Sequence, residues 1–125
     1  MVKILIVEDS PQIRKNLRRF ISDNDEMLIL NEAENSDSGI NLIKTTKPDI
    51  IILDVELKDS SGFDILRFAK SSELTNNPLV IMFSNFISYK EKALNEKADY
   101  FFDKTNELDK LLDTIEKVIK SKSAM

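Results

Sequence analysis

Four consecutive apolar residues, Ile50-Ile51-Ile52-Leu53, run without interruption into Asp54. A half-exposed strand alternates apolar and polar residues, so an unbroken β-branched run predicts a strand covered on both faces. Covering both faces takes a sheet with helices packed above and below it. The rest of the sequence supplies both kinds of element. Short apolar runs at residues 2–7 and 79–83 read as strands, as do a weaker run at 27–30 and an aromatic one at 100–102. Between them the spacing turns helical. Ile13, Leu17, Phe20 and Ile21 form one stripe, preceded by a capping Ser10 and by Pro11 at the first helical position. Leu108, Leu111, Leu112, Ile115, Val118 and Ile119 form another. Ser36 is expected to cap a helix through Ile43, and residues 62–69 read as a third helix. Ile87, Ala93 and Leu94 give a thinner stripe after Ser84. Pro48 and Pro78 each stand just before a strand, where a helix must already have ended. The fivefold alternation predicts an α/β fold, a doubly wound (βα)5 parallel sheet with right-handed crossovers.

Ligands in such folds bind beyond the carboxyl ends of the strands, at the switch in strand order. Those positions hold Glu8 and Asp9 after the first run, Asp54 after the third, Ser84 after the fourth and Lys104 after the fifth. Carboxylates crowded into one crevice repel, by about 4 kcal/mol for two unit charges 4 Å apart at an effective dielectric of about 20. Either protons or a cation must hold them together. Composition narrows the choice of cation. The chain has no His and no Cys, which removes thiolate and imidazole ligands, histidine phosphotransfer and Ser-His-Asp triads. An oxygen-only set favours a hard ion, magnesium above all. With a lone Asp, a hydroxyl and an ammonium beside it, such a site suits phosphoryl transfer, with Asp54 attacking in line.

Taken singly, each residue has a plainer account: a strand end at the surface, a turn-forming Asp, a helix-capping Ser, a solvated Lys paired with Asp103. Their joint order along the chain is the stronger signal. Only two glycines occur, Gly39 and Gly62, so no glycine-rich loop cradles a nucleotide. A net charge of −4 and a pI of about 4.9 argue against direct nucleic-acid binding. No apolar run is long enough for a membrane span or a signal peptide, so a cytoplasmic location is expected.

These residues resemble the receiver domains of two-component response regulators. The marks are Ile4-Leu5-Ile6-Val7-Glu8-Asp9, Asp54 with Gly62 following, Met82-Phe83-Ser84, and Ala98-Asp99 followed by Lys104. The resemblance covers essentially the whole chain and implies a flavodoxin-like strand order of 2-1-3-4-5. It implies that Asp54 accepts a phosphoryl group from a sensor histidine kinase or a phosphotransfer protein in a phosphorelay. Asp9 and Asp54 would bind Mg2+ directly, Glu8 would act through water, and the Glu56 backbone carbonyl would complete the protein ligands. Ser84 and Lys104 would hold phosphoryl oxygens, and movement of Ser84 would couple to Phe101. The face formed by the fourth helix, fifth strand and fifth helix would then change its affinity for a downstream protein.

The sequence departs from the family pattern at several points. Lys58 stands where Pro is frequent, Asn85 where a small residue follows the hydroxyl, Phe101 where Tyr is frequent, and Lys97 where Gly often ends a helix. Lys104-Thr105 replaces the usual Lys-Pro, and a cis bond there would cost about 2.5–4 kcal/mol, which predicts trans. Glu56 and Phe86 would flank the water that hydrolyses the acyl phosphate. Residues 1–125 are expected to form a single receiver domain without an output module. On this reading the chain is a phosphorylation-dependent binding module that catalyses only its own phosphorylation and dephosphorylation. The alternatives are a phosphate-independent scaffold and an aspartate-dependent phosphatase. The helical basic residues Arg14, Lys15, Arg18 and Arg19 read as a solvated face or a kinase-docking surface.

Overall fold

A computed structural model describes residues 2–23, 27–58, 60–71 and 76–123. Its central sheet contains β1 (Val2–Val7), β2 (Met27–Ala33), β3 (Ile50–Asp54), β4 (Leu79–Ser84) and β5 (Tyr100–Asp103). All neighbours are parallel and the order is β2-β1-β3-β4-β5, as the resemblance implies. The helices are α1 (Pro11–Ser22), α2 (Ser36–Thr46), α3 (Gly62–Ala69), α4 (Lys90–Asn95) and α5 (Leu108–Ser123). A small antiparallel ribbon, Glu56–Leu57 with Ser60–Ser61, lies between β3 and α3.

Side chains alternate across each strand, and here both sets are buried. Ile4, Ile6, Ile50, Ile52, Ile81 and Phe83 pack on one face with Leu17 and Ile21 of α1 and Leu111, Ile115 and Ile119 of α5. Leu5, Val7, Ile51, Leu53, Val80 and Met82 pack on the other with helices α2, α3 and α4. No residue from Ile50 to Leu53 is more than 1% exposed, which accounts for the absence of polar alternation there. Each such side chain contributes about 1.5–3 kcal/mol by leaving water.

The helix ends follow from local chemistry. Ser10 Oγ accepts from the Ile13 N–H at 3.4 Å, and Pro11 opens α1 as the sequence predicts. The cap of α2 is Asn35 rather than Ser36. Asn35 is the extended residue, and its Oδ1 accepts from the Ser38 N–H at 3.0 Å. Ser36 lies one step inside the helix, buried, and its hydroxyl donates to the Ser61 carbonyl at 2.8 Å, tying α2 to the ribbon. The stretch after Ser84 begins as a 3-10 turn, Ile87–Tyr89, before the short α4, whose one buried residue is Ala93. The Ala98 N–H returns to the Ala93 carbonyl (3.0 Å) and the Lys97 N–H to that of Leu94 (3.1 Å), closing a Schellman motif. Lys97 occupies its left-handed position at φ 75°, where the family pattern often has Gly. The Lys104–Thr105 peptide is trans, as predicted.

Candidate functional site

The strand order reverses between β1 and β3, and the carboxyl ends of these two strands bring Glu8, Asp9 and Asp54 together. Glu8 continues the ladder past β1, its N–H bonded to the Ala33 carbonyl at 2.9 Å, and its side chain turns inward, 2% exposed. Asp54 is the last residue of β3 and is also buried. Lys104 follows β5, and its N–H bonds the Ser84 carbonyl at 2.9 Å, extending the β4–β5 ladder to the same edge. Its Nζ lies 2.8 Å from Asp54 Oδ2 and 2.7 Å from Glu8 Oε1. The remaining oxygens are held by backbone: Asp54 Oδ1 accepts from the Glu56 N–H (3.2 Å) and Glu8 Oε2 from the Ser10 N–H (3.0 Å).

Asp9 is exposed, and a carboxylate oxygen from each of Glu8, Asp9 and Asp54 falls within 4.8 Å of the others. Ser84 is buried at the end of β4, where its Oγ accepts from the Phe86 N–H at 3.1 Å. A cleft of about 250 Å³ opens over this edge, and its lining includes Asp9, Asp54, Glu56, Ser84, Asn85, Phe86 and Lys104. The residues drawn from four strand ends thus share one crevice.

Residues 4–116 match the response regulator receiver domain family. The chain belongs to that family. Over 101 residues it is 32% identical to the transcriptional regulatory protein BtsR of Escherichia coli (strain K12), covering 80% of this chain and 41% of BtsR. Over 95 residues it is 33% identical to a protein-glutamate methylesterase/protein-glutamine glutaminase of Bacillus subtilis (strain 168), covering 76% of this chain and 26% of the relative. The chain therefore spans less than half the length of either. Among solved structures, the signal receiver domain of a DNA-binding response regulator protein (merR) from Colwellia psychrerythraea 34H superposes with a TM-score of 0.85 at 26% identity, covering 96% of this chain and 99% of that one.

Within this receiver the charges are unevenly balanced. Burial, then the neighbouring Glu8 charge, pushes the Asp54 carboxyl up from its ordinary 3.8 to about 8, against the hydrogen bond from Lys104. Burial pulls the Lys104 ammonium down, but its bonds to Asp54 and Glu8 outweigh that and hold it above the usual lysine range. The lysine therefore occupies the place where carboxylate repulsion called for a cation. It bonds two of the three carboxylates, Asp54 and Glu8. An all-oxygen donor set in which burial and a neighbouring charge hold one carboxyl well above its ordinary range fits a divalent hard ion.

Other expectations are corrected. Lys104 does not pair with Asp103, whose carboxylate instead accepts from the Thr105 N–H (3.0 Å) and the Asn106 amide (3.2 Å). Phe101 is 4% exposed, because its register opposite Met82 turns it into the core. That register puts it on the same side of the sheet as Ser84, two residues further along β4. Of the basic face of α1, Arg14 and Arg18 are engaged by Glu32 on β2, at 3.5 and 2.8 Å. One contact had no trace in the sequence: Arg14 Nη1 donates to the Glu8 backbone carbonyl at 2.7 Å. A main-chain acceptor leaves no residue-type signature. Among the described residues, no helix is long and apolar enough to cross a membrane.

Proposed function

We propose that this receiver accepts a phosphoryl group on Asp54 from the phosphohistidine of a sensor kinase or phosphotransfer protein. The observation that carries the reading is Lys104 Nζ bridging Asp54 and Glu8 beside a cleft lined by Asp9, Asp54, Ser84 and Lys104. Asp54 Oδ attacks phosphorus, the P–N bond breaks, and the electron pair leaves with the donor imidazole, producing an aspartyl phosphate. Glu8, Asp9, Asp54 and the Glu56 carbonyl would hold Mg2+, which when bound offsets charge on the phosphoryl oxygens. Lys104 exchanges its bond to Asp54 for one to a phosphoryl oxygen, and Ser84 supplies a hydroxyl donor. Drawing Ser84 toward the phosphoryl group frees space above Phe101 on the same side of the sheet, which couples the site to β5. Leu94 of α4 and Tyr100 of β5 are large, exposed apolar residues, and they support the α4-β5-α5 face as the surface whose partner affinity changes.

The test is incubation with acetyl phosphate or phosphoramidate in magnesium, followed by intact mass and peptide mapping. A stoichiometric adduct on Asp54, absent from Asp54→Asn, is expected. Catalytic turnover of a phosphomonoester without an adduct would overturn the reading in favour of a phosphatase. Partner binding that survives unchanged in Asp54→Asn with and without phosphodonor would favour a scaffold.

A further inference from the structure

We infer that Arg14 is a positioning residue for the divalent-cation site, acting through the Glu8–Asp9 peptide. The inference rests on the metal assignment above. Every hydrogen-bonding group of Glu8 has a partner: its N–H bonds Ala33, its carboxylate bonds Ser10 and Lys104, and its carbonyl bonds Arg14 Nη1 at 2.7 Å. The carbonyl belongs to the peptide plane that leads into Asp9, so the Arg14 bond fixes the orientation of that plane and of the N–Cα bond from which the Asp9 side chain branches. Asp9 itself is exposed.

The clamp is itself held. Arg14 is partly buried, its side chain 19% exposed, and Glu32 engages both its guanidinium (3.5 Å) and that of Arg18, the latter through two bonds of 2.8 and 3.0 Å. The assembly links α1, β2 and the Glu8–Asp9 turn, with its guanidinium on the main chain rather than on any carboxylate of the cleft.

Positioning and simple electrostatics predict opposite signs. Removing a cation close to an acidic site strengthens cation binding through the field alone. Removing a group that orients a ligand weakens it, typically by 10- to 100-fold for an outer-shell partner. The experiment is titration of Mg2+ into the wild type and into Arg14→Met, Arg14→Lys and Arg18→Met, well below their melting temperatures, together with 15N relaxation of the Asp9 amide in chelator. Arg18→Met removes the same charge from Glu32 but leaves the Glu8 carbonyl bonded.

The expected result is at least tenfold weaker Mg2+ binding in Arg14→Met with a lowered Asp9 order parameter, and binding within twofold of wild type in Arg18→Met. Arg14→Lys, which keeps the charge and an N–H donor but not the planar guanidinium, should lose about threefold and serves if the Met variant does not fold. Binding by Arg14→Met (or by Arg14→Lys in its place) as tight as wild type overturns the inference, as does equal loss in the Arg14 and Arg18 variants. A wild type that binds no Mg2+ overturns the metal assignment and the inference together. An Asp9 order parameter in Arg14→Met equal to that of a wild type that does bind Mg2+ overturns the inference alone.

Discussion

At Asp54 folding and ionisation oppose each other. Its carboxyl, pushed up to about 8 by burial and by Glu8, binds its proton more tightly folded than unfolded, where 3.8 is the ordinary value. Folding stability from this group is therefore complete below about pH 4 and is lost as pH rises toward 8. In chelator, Asp54→Asn should melt level with the wild type near pH 4 and several degrees higher at pH 8.5, a gain on the order of 1–2 kcal/mol. Thermal melts across that range check the prediction, and a gap that narrows with rising pH would refute it. Gly62 stands beside the same residue. A Cβ there would come within 2.0 Å of the Asp54 carbonyl oxygen, so Gly62→Ala must displace the end of β3 or the start of α3. The expected cost is about 2–3 kcal/mol in urea unfolding, with slower phosphoryl acceptance by the displaced Asp54. At this scale the polar residues that the fold gathers at this edge were legible because each comes within two residues of the end of an apolar run. The double grip of Lys104 on Glu8 and Asp54 was not, since it depends on the side-chain path across β4.

Elements were legible where the pattern was strong. Ile50–Asp54 is buried on both faces, and the stripe from Leu108 onward gives α5. The pattern failed where short polar contacts decide. Asn35, not Ser36, starts α2 because the neighbouring serine is already bonded to the ribbon, and that ribbon, with two residues in each arm, is too short for any periodicity to announce. Helix α4 is the marginal case, since it is six residues long and buries one side chain. Its Schellman end forces Lys97 to φ 75°, a conformation that costs about 1–2 kcal/mol for a residue with a Cβ. Gly at this position loses some unfolded-state advantage but removes the strain. Lys97→Gly should therefore raise stability by roughly 0.5–1 kcal/mol, read as a higher denaturant midpoint at constant slope, while leaving Mg2+ affinity unchanged. A lowered midpoint would show that the lysine side chain contributes more than its backbone costs.

For the whole molecule, the sheet order converts sequence distance into proximity. Glu8, Asp9 and Asp54 come within 4.8 Å only when β1 and β3 are paired, so an unfolded chain offers a divalent ion no comparable site. Cation binding is then folding energy, by mass action on the native state alone. Magnesium at one hundred times its dissociation constant should stabilise the wild type by about 2.7 kcal/mol. Asp9→Asn separates this from general salt effects, because Asp9 is exposed and its loss leaves both cores and the Lys104 bridge in place. The variant should fold normally in chelator and lose most of the magnesium-dependent rise in melting temperature, whereas sodium chloride of matched ionic strength should shift both proteins equally. The wild-type rise should also fade as pH falls well below 8, because the proton on Asp54 competes with the ion for the same oxygens. A magnesium-dependent rise of the same size in Asp9→Asn, or one that grows on acidification, would mean that the ion stabilises the fold from somewhere other than this edge of the sheet.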